Sequence, residues 1–291
     1  MIELAGSGPV DLVLLLLVLV AIVAGFVGSL VGIGGGLFLV PALVLLFGLD
    51  IHYAIGASLI AVIANSCASG SSYVDQGLTD LRVGMFLESA SVVGGLLAAL
   101  LAVTLLASQS NALTLAFVPV VVIAILLMLR HRKVETNPAL PMDAVATRLR
   151  LSGVYREEGT GRAAPYGARA SLLGLAFAGL AGFAAVLLGI GGGTFNVPAM
   201  NAVMNIPLRV ATATSTFKIG LVAAAGTIVY LFAGDVLLLI AAPVALGSIV
   251  GSLLGSRYQL RAGVGALRYL FLGVLVFAAI SMAARGLGYL S

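Results

Sequence analysis

The chain has 291 residues, 61% of them hydrophobic and 9% charged, with a mean hydropathy of +1.19. That balance excludes a water-soluble domain and implies a polytopic membrane protein. The formal charge of +4 reads as loop positives that orient the chain, not as nucleic-acid affinity, and a single cysteine, Cys67, excludes an intramolecular disulfide or a multi-cysteine metal site.

In chain order, stretches long enough to span a bilayer fall at roughly 12–31, 54–74, 83–107, 112–129, 170–190, 210–233, 236–255 and 264–284. Glu3 and Asp11 precede the first and no positive n-region does, so no cleaved signal peptide is expected. Leu37–Leu49 and Thr194–Ile206 are apolar but reach only about 20 Å as helices. Each follows a copy of GIGGG, at Gly32–Gly36 and Gly189–Gly193, and each contains a proline, Pro41 or Pro198. Sliding Ala21–Leu97 onto Ala178–Leu254 at this offset of 157 gives 25 identities in 77 ungapped columns, an internal duplication. Paired glycine-interrupted, undersized segments in two halves point to the binding site of a secondary transporter.

Charge placement sets the topology. Arg130, Arg132, Lys133, Arg148, Arg150, Arg156, Arg162 and Arg169 lie in or beside one hydrophilic stretch, which the positive-inside rule makes cytoplasmic. If the short segments do not cross, the halves share an orientation and Arg257, Arg261 and Arg268 fall outside. If they cross, each half has five spans, the second is inverted, and only Arg285 is left outside. The expected fold is therefore all-α, two inverted repeats of about five helices, with a short glycine-broken helix in each. The first repeat covers 1–130, a cytoplasmic linker 131–168 and the second repeat 169–291, both termini lying outside the cell inner membrane. Asn137-Pro138 and Pro141 break helix in the linker, and the alternation across Thr147–Tyr155 suggests a short strand pair. The linker reads as a tether held at the anionic leaflet. Tyr73 and Tyr230, repeat mates near span ends, read as interfacial anchors.

Glycines without side chains let backbone amides approach a ligand, and the short helix after each break points its positive end there. Gly34, Gly35, Gly36, Gly191, Gly192, Gly193 and Asn196 are the candidate anion contacts; the alternative is close helix packing. The Rossmann fingerprint fails, because Leu37 stands where its third glycine belongs. Inversion would send the two breaks to opposite faces unless the spans before them end early or the glycines dip inward.

Asn65, Ser66 and Cys67 fall near the midplane, as do Thr214, Ser215 and Lys218, which share one helical face. Ser58 and Ser215 are repeat mates, whereas Lys218 and Asn65 are matched by Ala61 and Val222. A cation at this depth costs at least ~2.5 kcal/mol, so Lys218 marks either a ligand contact or a structural pair with Glu88.

The motif GIGGG-x-F-x-VPA in both halves, with the run MNIPLRVATATSTFKIGLVAAAGTIVY, resembles the sulfite exporter TauE/SafE family of membrane transporters. The resemblance implies a secondary carrier for small organic or inorganic anions such as sulfite, sulfoacetate or taurine-derived compounds. Lys218 departs from members with an apolar or amide residue there. An anion channel is the second reading, and an intramembrane Ser215–Lys218 enzyme the third; His52 and His131 sit at span ends, and no Walker A sequence or cofactor motif is present. The expected partners are the anion and membrane lipid, with no nucleic acid; a homodimer is left open.

Cysteine labelling in a Cys67→Ser background tests the topology. Residue 291 should react from outside the cell, and access from the cytoplasm alone would restore the uninverted arrangement.

Overall fold

A computed structural model describes residues 10–106, 110–130, 141–156, 163–259, 276, 279–280 and 282–284. Most of the expected span at 264–284, and the linker basics Arg132, Lys133 and Arg162, lie outside these residues. Helix α1 (Val10–Val31) runs into the first break, α2 (Gly36–Leu46) follows it, and α3 (Ile51–Asp75), α4 (Leu81–Thr104) and α5 (Ser110–Arg130) complete the first half. Helix α6 (Ala144–Leu149) and a hairpin of β1 (Ser152–Arg156) and β2 (Ala163–Gly167) follow. Then come α7 (Ser171–Leu187), the second break, α8 (Gly193–Pro198), a π turn over Ala199–Val203, α9 (Leu208–Ala233) and α10 (Leu238–Gln259). Among the described residues five helices are long and apolar enough to cross a membrane, as expected for a multi-pass membrane protein.

The outside is apolar, and polar side chains are kept inside, among the buried apolar core. Phe232, Met85, Leu46 and Leu180 are exposed, whereas Lys218, Asn65, Ser58 and Ser215 are fully buried. A water-soluble protein shows the reverse.

Packing is reciprocal between the halves. Helix α1 lies against α10 as α7 lies against α4, α3 meets α10 as α9 meets α4, and α3 packs on its own mate α9. Small residues let these backbones touch. A methyl group at Gly25 would lie 2.5 Å from Ser248 O, and one at its mate Gly182 would overlap Ser91 O. Gly251 and Gly94 repeat the pattern against Ile22 O and Gly179 O.

The halves differ after the breaks. Pro41 leaves α2 continuous, whereas Pro198 ends α8 and the chain widens into the π turn. Proline lacks an N–H and its ring crowds the carbonyl one turn back, which such a bulge accommodates.

The linker departs from expectation. Thr147–Leu149 is helix, not strand, because the Asp143 carboxylate accepts from Ala146 N at 2.6 Å and caps α6. Nor are its described residues a free tether. Ala146, Leu151, Tyr166 and Ala168 share a buried cluster with Val83, Leu87, Met200 and Met204. Tyr166 donates to Asp80 at 2.9 Å, and Asp143 also accepts from Ser171 N and Ser171 Oγ at the start of α7. Slight burial raises the Asp143 carboxyl, but these donors outweigh it and hold it below the usual range.

The glycine contacts give a stability prediction that separates clearance from backbone angle. Gly36→Ala and Gly193→Ala should each lower the midpoint of thermal unfolding in detergent sharply, because the methyl would overlap a carbonyl of the other half. Gly48→Ala has open space around it and only its left-handed φ of 65° to accommodate, so it should cost about 1–2 kcal/mol.

Candidate functional site

The two glycine breaks do not end on opposite faces: they pack against each other. Gly34, Gly35, Gly191 and Gly192 have φ of 85°, 79°, 81° and 64°, a region other residues avoid. These turns redirect the chain so that Gly36 abuts Gly189 O and Gly193 abuts Gly32 O, while Gly191 approaches Ile33 O. All the predicted glycines are buried.

An unwound backbone in apolar surroundings needs its carbonyls satisfied. Ser215 Oγ donates to Gly32 O at 3.1 Å, and its mate Ser58 donates to Gly189 O at 2.7 Å. Each half thus supplies the hydroxyl for the other half's break. Tyr73 donates to Ser29 O at 2.9 Å and Tyr230 to Val186 O at 3.3 Å, the last-turn carbonyls ahead of each break. Both rings are fully buried, so neither tyrosine is an interfacial anchor. Ser29 and Val186 are themselves mates at the offset of 157, a signal the sequence did contain. The first turns of α2 and α8 receive no side-chain cap, because Gly35 and Gly192 stand at their N-cap positions. Their amide ends meet at the crossing of the breaks. Buried Asn196 sits one turn from Gly192, and Thr194 Oγ1 is buried without a hydrogen-bond partner.

The midplane residues of α3 do not converge on this crossing. Asn65 Nδ2 donates to Gly25 O at 3.1 Å and its Oδ1 accepts from Ser69 Oγ, tying α3 to α1. Ser66 Oγ lies within hydrogen-bond reach of Thr216 O and Phe217 O, tying α3 to α9. Cys67 is exposed on the outer surface. Successive helical residues are turned about 100° apart, so shared depth does not give a shared direction.

On α9, Thr214 Oγ1 accepts from Asp80 N at 2.9 Å. Lys218 is fully buried; its Nζ donates to Ser91 Oγ at 2.7 Å and lies 3.7 Å from Glu88 Oε2. The pairing alternative is therefore what this structure contains, and the ammonium is engaged by α4. Ser215, one turn away, faces the first break.

Loss of a donor to a buried carbonyl leaves that group unsatisfied, at about 1–3 kcal/mol. Ser58→Ala, Ser215→Ala, Tyr73→Phe and Tyr230→Phe should each lower detergent-phase stability by that amount in thermal unfolding, whereas Ser71→Ala, whose hydroxyl is exposed, should not.

Comparison with known proteins adds the family. Residues 17–282 match the family described as sulfite exporter TauE/SafE. The chain is 31% identical over 251 residues to the probable membrane transporter protein YunE of Bacillus subtilis (strain 168), covering 83% of this chain and 86% of that protein. It is 25% identical over 249 residues to the probable membrane transporter protein YdhB of the same organism, covering 85% and 89%. No solved structure matches. With a matched span reaching from α1 past α10, the chain belongs to the sulfite exporter TauE/SafE family: it is a membrane transporter and not an enzyme.

Proposed function

We propose that this transporter carries small anions, sulfur oxyanions or organosulfonates such as sulfite and sulfoacetate, across the cell inner membrane by alternating access. The observation that carries the reading is the crossing of the two breaks. Two uncapped helix starts meet where the backbone is unwound, and an amide end attracts negative charge within about a turn. Such interrupted helices at the interface of two repeats are where secondary transporters bind substrate. The candidate contacts are Gly34, Gly35, Gly36, Gly191, Gly192, Gly193 and Asn196, with Ser215 on α9 bonded to the first break and Thr214 and Lys218 further candidates on the same helix, turned toward Asp80 and Ser91.

The inverted arrangement of the halves, with a cytoplasmic linker, rests on the charge pattern and agrees with the reciprocal packing of α1 on α10 and α7 on α4. Rocking one half against the other about the crossing would expose the site to each side in turn.

Counterflow in proteoliposomes tests this. Radiolabelled sulfite or sulfoacetate should exchange saturably with unlabelled anion trapped inside, and Gly35→Val or Gly192→Val should abolish the exchange. Unsaturable flux without counterflow would favour a channel, and no flux of any sulfur anion would remove the proposed substrate class.

A further inference from the structure

The buried pair Glu88–Lys218 is a feature the helix packing itself does not require. The crossing of α4 with α9 has a counterpart in the crossing of α10 with α3. In the first, Ser91 Oγ accepts from Lys218 Nζ at 2.7 Å and lies within hydrogen-bond reach of both Leu87 O and Ala178 O, and Glu88 Oε2 stands 3.7 Å from Nζ. In the second, the mate Ser248 donates to Ala61 O at 3.0 Å. The residues matching Glu88 and Lys218 at the offset of 157 are Ala245 and Ala61. The same crossing thus closes in the other half without any charge.

A buried ion pair is seldom worth more than apolar packing of similar volume, and ionisable residues within spans mark ion and proton paths. The two partners are also held unequally. Lys218 has a short bond to Ser91, whereas both Glu88 oxygens are buried with no hydrogen-bond partner, held by charge at a distance too long for a hydrogen bond. The linker packed on the first turns of α4 brings Tyr155 and Tyr166, the latter bonded to Asp80, and the helices bring few other titratable groups. Helix α7, α8 and the π turn carry no ionisable side chain, and α4 carries only Arg82, in its first turn, besides Glu88. Helix α9 has Arg209 at its start and Tyr230 near its end, the latter's hydroxyl donating to Val186 O. Helix α3 has His52, Tyr53, Tyr73 and Asp75 toward its ends and Cys67 on the outer surface.

We propose that Glu88 is a proton-binding site that couples anion movement to a proton gradient, with Lys218 the partner shared by carboxylate and anion. This rests on the anion-carrier reading above. With Glu88 ionised, its carboxylate occupies Lys218. A proton from water adds to one Glu88 oxygen; the neutral carboxyl releases the ammonium, which keeps all its protons, and the anion takes the carboxylate's place. On the far side the anion leaves, the proton returns to water and the carboxylate re-forms the pair. Proton and anion load together, so the coupling is symport, and a monovalent anion moves without net charge.

Two measurements test this. In detergent, infrared difference spectra on acidification should show a protonated-carboxyl stretch that Glu88→Gln removes. In vesicles with a trapped pH dye, a proton gradient should drive uphill accumulation of methanesulfonate, an anion that cannot itself carry the proton. Glu88→Gln should lose accumulation and dye response while anion exchange persists at a reduced rate, and Glu88→Asp should recover part of the dye response. If Glu88→Gln does not fold, the double variant Glu88→Gln, Lys218→Gln strands no charge, should be folded and should lack the carboxyl stretch. Absence of the carboxyl stretch in the wild type, or proton-driven accumulation by either variant, would overturn the proposal. Absence of flux for methanesulfonate and every other sulfonate would remove the carrier reading, and the infrared titration would still decide whether Glu88 takes the proton.

Discussion

The structure depends on one constraint: two stretches of unwound backbone cross inside an apolar body, and every carbonyl they expose needs a donor. Hydrocarbon offers none, so the chain supplies its own. Ser215 serves Gly32, Ser58 serves Gly189, and the buried tyrosines Tyr73 and Tyr230 serve the helix ends just before the breaks. The crossing is close enough to exclude side chains at Gly36 and Gly193. Helices α3 and α9 carry the four donors and pack on each other, so the centre of the fold is a set of matched clamps around the crossing.

Against this matched scaffold the chemistry is unequal. Leu37 and Leu39 of the first half correspond to Thr194 and Asn196 of the second, and Ala61 and Ala245 correspond to Lys218 and Glu88. At these positions one copy is polar and charged, while the other shows that packing alone suffices. That internal comparison separates what the architecture requires from what it carries.

Much of this was legible in the sequence. The offset of 157 and the glycine motif identified the breaks, and the mating of Ser58 with Ser215 was visible, although Ser215 reads there as an anion contact and not as the donor to Gly32 O. Hydropathy and depth did less well, because they locate a residue along a helix but not around it. Asn65, Ser66 and Cys67 share a depth yet point to α1, to α9 and to the outer surface. Tyr73 and Tyr230 looked like anchors from their place near span ends, while their buried hydroxyls serve carbonyls that no local pattern reveals. The linker hairpin was partly visible in the alternation of its residues. Its docking was not, since the contact of Tyr166 with Asp80 joins positions 86 apart in the chain.

The exchange of donors between halves bears on how the protein is made. Gly32 is synthesised early, but the hydroxyl that satisfies its carbonyl arrives 183 residues later, and Gly189 must find Ser58 across 131 residues already inserted. Until the second half enters the membrane, the first has an open carbonyl and a bared glycine surface that hydrocarbon cannot solvate. Loop closure over such separations is slow and entropically costly. The first half emerging from the ribosome is therefore an unfinished object whose central turn stays hydrated or shielded until its mate arrives, and the final docking of the two halves is the step at which biogenesis is completed.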